Sequence, residues 1–225
     1  MCGRIVQAKT TDYVALFGVA DDLSAGFEPS WNLKPTQDAL IVLDGDKDGV
    51  RRLSPARWSL VPAWSKELKL KFPTFNARIE TAGEKPTFRA SVKRRRCVFP
   101  IDGYYEWQTD PVTKTKTPYY VHSTTPIGLA GLYSWWHDPA AGNDDGWTLT
   151  ATILTQDAAP ALEWLHDRMP VTLDRSFLDP WLDPDVDGND LTDDVRKASI
   201  ADTAGLTWHE VAPLRGNSPE LIDPD

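Results

Sequence analysis

Between residues 97 and 155 the chain runs almost wholly in strand-like patterns, and no other feature narrows its folding options as much. CVFPI (97–101) reads as a buried strand. GYYEWQ (103–108) alternates, and further β-branched and aromatic segments follow at 118–123, 127–136 and 147–155, separated by short polar breaks. Strands joined so closely pair mostly antiparallel. Around them, 39–43 and 50–53 read as a hairpin across the turn residues 44–49. The stretch 57–64 is unsuited to a regular strand throughout, because Pro62 cannot donate to a ladder. Helices are expected at 10–20, 86–96, 157–166 and 191–204, with a last strand at 207–212. The fold class is therefore α+β, a mostly antiparallel sheet with peripheral helices.

Composition limits the alternatives. The 225 residues are 41% hydrophobic with ten tryptophans, which describes a globular chain. No run of 18 apolar residues marks a membrane span, and no apolar stretch behind Arg4 marks a signal peptide. Two cysteines make no disulfide framework, so a reducing cytoplasm is expected; the chain is also expected to be a monomer. The net charge of −9 is unevenly placed: residues 1–100 carry 17 Lys and Arg against 11 Asp and Glu, and 101–225 carry 7 against 22. A basic surface on an acidic body still attracts phosphate, because salt screens the distant acids. The acidic excess suits a high-salt host or simply an acidic surface.

The chemistry-bearing residues are scattered. The chain opens Met1-Cys2-Gly3-Arg4, and removal of Met1 leaves Cys2 with an amine and a thiol on adjacent carbons, both partly unprotonated near neutrality. Such an aminothiol condenses with an aldehyde to an imine and then closes to a thiazolidine. The plain alternative is a small residue following an initiator. In FNARIET (75–81) a strand would put Asn76, Arg78 and Glu80 on one face, either as a site or as a solvated edge. Glu106, between Tyr105 and Trp107, is expected to be partly desolvated, which raises a carboxyl pKa and suits proton transfer. His166 is expected at a helix C-terminus, where the dipole favours its charged form. The basic run 93–96 suits the end of its own helix and needs no ligand. In the acidic tail, Asp183, Asp185, Asp187, Gly188 and Asp194 imitate part of a calcium loop. Asp at its twelfth position, Asp190 at its eighth, and Pro180 and Pro184 before it favour an ordinary turn, so no metal or other cofactor is expected.

Taken in order, MCGR, WNLKPTQ (31–37), WSLVPAW (58–64), FNARIET, KPTFR (85–89), RRRCVFPIDGYYEW (94–107), ILT (153–155) and HDRMP (166–170) resemble the SOS response-associated peptidase family, also called abasic-site processing proteins. The likeness covers most of residues 2–173 and continues weakly through GNSPE (216–220). Ile79, Gln156 and the acidic insertions depart from it. It implies a single domain over residues 1–225, with a barrel-like core of about 2–173 and an acidic extension over 174–225. It further implies a groove for single-stranded DNA and a covalent thiazolidine link between Cys2 and the aldehyde of an abasic site. Cys2, Asn76, Glu106 and His166 then stand as catalytic residues. Arg4, Arg78, Thr155, Trp64 and Arg168 stand near the DNA, in a cytoplasmic protein that meets the nucleoid when bound.

Three other readings use the same residues. A cysteine peptidase, including one that removes its own Met1, takes Cys2, His166 and Asn76 as nucleophile, base and orienter. A glutamine amidotransferase also begins Met-Cys-Gly, but this chain offers no synthetase domain. A non-covalent single-strand binding module needs only the basic half and the aromatics.

Overall fold

The structure, a computed structural model, describes residues 2–45, 47–142 and 145–225. Met1, on whose removal the Cys2 amine depends, and Asp46 of the 44–49 turn lie outside the described residues. The order of elements is β1 (Ile5–Gln7), α1 (Thr10–Leu16), β2 (Asp21–Asp22), β3 (Ser30–Leu33), β4 (Asp38–Asp44), β5 (Arg51–Trp58), β6 (Asn76–Arg78), α2 (Ile79–Ala82), α3 (Arg89–Arg94), β7 (Arg96–Thr109), β8 (Lys116–His137), β9 (Trp147–Asp157), β10 (Arg168–Pro170), α4 (Leu178–Leu182), α5 (Thr192–Asp202) and β11 (Thr207–Glu210). All the described strands join one mixed sheet, and the circuit β7–β8–β9–β5–β4–β7 closes on itself. This is a single α+β domain built around a barrel.

Alternation along the strands sorts the core. Cys97, Phe99, Ile101, Ile41, Ala151 and Ile153 point inward to one cluster, while Leu40, Val42, Val98, Leu132 and Leu154 point outward. The outward set is covered by Tyr13 and Phe17 of the α1 region, Val92 of α3, Trp181 of α4 and Val195 of α5. Gly131 leaves room for the Phe99 ring inside: a Cβ there would stand 2.8 Å from it.

Several local expectations are corrected. The four central strands before residue 137 are two long ones, β7 and β8, which bend together where Asp102 faces the excursion at 123–126. Asp102 Oδ2 fixes that bend by accepting from the Ala8 and Lys9 backbone N–H groups at 2.8 and 3.2 Å. No helix forms over 157–166; the segment is a set of turns with hydrogen bonds such as Leu162 N to Ala159 O, and Pro160 removes a donor where a ladder would begin. The end of FNARIET turns into α2, so Glu80 leaves the face shared by strand residues. Pro180 does not prevent α4, since it lies in the first turn, where a missing N–H goes unused. Arg96 is no part of a basic surface. It is buried, and its guanidinium donates to the carbonyls of Trp181, Val92, Lys93 and Asp183.

Candidate active site

Cys2 lies at the mouth of the barrel, fully buried, within the inward-facing cluster. The chain reaches it because β1 runs antiparallel to β7, with Ile5 opposite Tyr104 and Tyr105 N donating to Arg4 O at 3.0 Å. Continuing that pairing outward brings residues 2–3 alongside Glu106. Burial pushes the Cys2 thiol well above the ordinary cysteine value, and the Glu106 carboxylate adds to the effect; a hydrogen bond from Arg4 N–H works the other way. Tyr104 is displaced upward by burial first and then by the neighbouring Cys2 and Glu106. Cys2, Tyr104 and Glu106 thus form one electrostatic group.

Glu106 is 5% exposed and accepts from Trp107 N–H at 3.2 Å. Tyr104 was not singled out from the sequence, although the signal was present. It precedes Glu106 by two residues on one strand and so shares its face, whereas the flanking Tyr105 and Trp107 point to the other side and join a separate cluster.

Asn76 arrives from the opposite direction. Trp58 is buried and donates from Nε1 to Phe75 O at 2.9 Å, with its ring edge-on to Phe75 at 6.1 Å. Phe75 O also accepts from Ile153 N, and β6 then pairs in parallel with β9, Asn76 beside Ile153. So anchored, Asn76 Nδ2 donates to Cys2 O at 2.7 Å. Its Oδ1 is buried with no hydrogen-bond partner among the described residues. Two segments separated by 74 positions meet at the reactive residue.

His166 sits on the turns between β9 and β10. Ala159, Leu162, Leu165 and Met169 of that region belong to the cluster holding Cys2, and the Trp164 ring meets Tyr119, the cross-strand partner of Glu106, at 4.9 Å. The histidine-bearing segment is therefore laid over the face that presents Glu106. His166 Nδ1 accepts from Arg168 N–H at 3.0 Å and lies 2.6 Å from Asp167 Oδ1.

The residues expected near DNA divide in two. Arg78 and Trp64 are exposed and line one open groove of about 640 Å³ with Asn76, Phe72, Lys85 and Phe88. Phe72 was missed because it lies outside every segment the sequence marked, and Lys85 because nothing in KPTFR (85–89) distinguished it from an ordinary surface charge. Arg4 is half-buried against Gly3 O. Thr155 and Arg168, by contrast, lie behind the surface. Thr155 is fully buried between β6 and β10. Arg168 is 7% exposed and donates to both Glu80 oxygens at 2.9 Å, to Asp157 at 2.5 Å and to Thr155 O at 2.8 Å. That network ties α2, β9 and β10 together at the end of β6, where Arg78 pairs with Thr155. Among the described residues no group of three His, Cys, Asp or Glu is arranged to hold a metal ion, and no helix is long and apolar enough to cross a membrane.

A barrel whose mouth holds a near-terminal cysteine between an asparagine and a carboxylate matches a known class. The sequence profile of the SOS response-associated peptidase (SRAP) family covers residues 1–218, and the chain belongs to that family. It is 34% identical over 230 residues to the abasic site processing protein YoqW of Bacillus subtilis, across 99% of both chains. Over 269 residues it is 31% identical to the abasic site processing protein HMCES of Xenopus tropicalis, across 99% of this chain and 78% of that one. A crystal structure of a Bacteroides thetaiotaomicron protein shares the fold over the full length of both chains, with a TM-score of 0.81 at 23% identity.

Proposed function

We propose that the chain processes abasic sites in single-stranded DNA by forming a covalent thiazolidine between mature Cys2 and the ring-opened deoxyribose. The observation that carries this reading is the meeting of Cys2, Asn76 and Glu106 at a barrel mouth beside a groove lined by Trp64, Phe72, Arg78 and Lys85. Kinship with proteins named for abasic-site processing supports it.

Removal of Met1 frees the α-amine. The amine adds to the C1′ aldehyde, the carbinolamine loses water, and the thiol then adds to the imine carbon, so that one water leaves overall. Glu106 moves protons during sugar opening and carbinolamine breakdown. Asn76 fixes the terminus through Cys2 O and offers Oδ1 to an N–H of the adduct. His166 exchanges protons with the sugar hydroxyl. Arg78 and Arg4 take phosphates and Trp64 stacks on a base. Thr155 and Arg168 serve DNA from behind, by holding β6 against β9. Closing the ring removes an imine that otherwise promotes β-elimination and strand breakage.

The peptidase reading fits the electrostatics less well. A protease thiol is lowered by a cationic neighbour, whereas at Cys2 burial and the Glu106 carboxylate, which raise the thiol, outweigh the terminal amine and the Arg4 N–H, which lower it. The deciding experiment incubates mature protein with a single-stranded oligonucleotide carrying one abasic site, followed by a denaturing gel and intact mass. The expected product has the summed masses less one water and is absent for Cys2→Ala and for protein retaining Met1. A strand released on denaturation would sink the covalent reading and leave a binding module.

A further inference from the structure

A second aromatic bank lies apart from the groove that Trp64 lines. Tyr119 and Trp164 meet edge to face at 4.9 Å, and Trp164 and Trp208 meet at 6.2 Å. Register places this bank on the catalytic face: Tyr119 is opposite Glu106, Val121 is opposite Tyr104, and Trp208 of β11 is opposite Val121. Directly paired residues share a side of the sheet. Trp164 keeps 41% of its surface exposed, although its neighbours Leu162 and Leu165 are buried in the core around Cys2.

The charges of the two banks are opposite. The Trp64 side carries exposed Arg78 and Lys85, with Lys66, Lys69 and Lys71 exposed in the loop leading to β6. The Trp164 side carries exposed Glu163 and Asp167, and Glu210, which is exposed and opposite Tyr119. By charge the first attracts phosphate and the second repels it. An aromatic face rimmed by carboxylates accepts a flat ring bearing N–H donors, which describes the amino-carrying bases and not the backbone.

We infer that Tyr119, Trp164 and Trp208 form a stacking subsite for one unpaired base next to the lesion, turned away from the phosphates held on the Trp64 side. This rests on the single-strand reading above and adds the requirement that the reacting sugar have an unpaired, stackable neighbour. Since Trp164 is two residues from His166, filling the subsite also seats the histidine loop against the bound strand.

The test is a cycle in base and side chain. Oligonucleotides with one abasic site carry either adenine or a baseless tetrahydrofuran spacer at each adjacent position, and adduct rates and affinities are measured for wild type and Trp164→Leu. With wild type, replacing adenine by the spacer on one side weakens binding about 5- to 150-fold, the range for loss of one base–aromatic stack. With W164L the two strands bind alike, and Trp164→Phe restores the difference. An equal spacer effect in wild type and W164L overturns the subsite while leaving adduct formation standing. Wild type that forms no adduct with any strand overturns both. A concentration-dependent dimer dissolved by W164L would overturn the subsite by assigning the bank to a second copy.

Discussion

Replacing Glu80 by Gln tests the framework behind the site. The Glu80 carboxylate receives both Arg168 Nη groups at 2.9 Å, and Arg168 is 7% exposed against 22% for Glu80. Removing one partner of a buried ion pair costs about 3–5 kcal/mol. Arg168 keeps the more exposed Asp157, so about 2–3 kcal/mol is expected here, equivalent to roughly 5–10 °C for a chain of this size. Burial pushes the Glu80 carboxyl upward, but the Arg168 hydrogen bonds and charge, with Arg196 further off, outweigh it and leave it below the ordinary range. A depressed carboxyl stabilises the fold above its unfolded pKa of about 4.3, and the contribution is lost as pH falls through the folded value. Urea unfolding followed by tryptophan fluorescence should therefore show a large gap between wild type and E80Q at pH 7 that narrows below about pH 4, with unchanged m. A gap under about 0.5 kcal/mol at pH 7, or one independent of pH, would refute the clamp.

Three further outcomes are expected. Asn76→Ala loses the bond to Cys2 O and should slow adduct formation about 10- to 100-fold while costing only about 1 kcal/mol of stability by urea unfolding. At pH 8 the native Cys2 thiol should react with iodoacetamide at least about tenfold more slowly than free cysteine, whose thiol pKa is about 8.5, and urea should abolish the difference. Arg78→Ala should weaken single-strand binding similarly for all sequences and lower the slope of log K against log salt by about 0.7.

The sheet was legible because period-two patterning survives wherever one face of a strand is buried, as in Cys97 and Phe99 inward against Val98 outward. The 157–166 segment misled for a related reason. Its apolar Ala159, Leu162 and Leu165 keep helical spacing because a single turn and a helix present the same face, and only Pro160 signals the difference. Asn76 and Glu106 are legible as polar residues inside apolar segments, but their approach to Cys2 is not, because it depends on closing the barrel across 74 and 104 positions. Glu80 and Arg168 were hidden more deeply. Each looks like a surface charge until α2 and β10 bring them together, and burial is a property of the pair.

The environment of Cys2 also bears on the order of the proposed chemistry. In the resting site burial and the Glu106 carboxylate outweigh the terminal amine and the Arg4 N–H, so the thiolate is disfavoured and the amine is expected to react first. Imine formation places a positive charge on the Cys2 nitrogen, two bonds from the carbon bearing sulfur. At about 4 Å and an effective dielectric near 20, a unit charge contributes on the order of 4 kcal/mol, or about three pKa units, in favour of the thiolate. Capture of the aldehyde thus switches on the thiol that completes the ring, and a strand without an aldehyde meets an inert cysteine. Cys2→Ser keeps the amine and removes the second step. Borohydride should trap a reduced C2S–DNA imine adduct at a rate close to that of wild-type capture, and without borohydride the strand should break by β-elimination. If C2S yields neither a trapped adduct nor breakage, the amine is not the first nucleophile and this order is wrong.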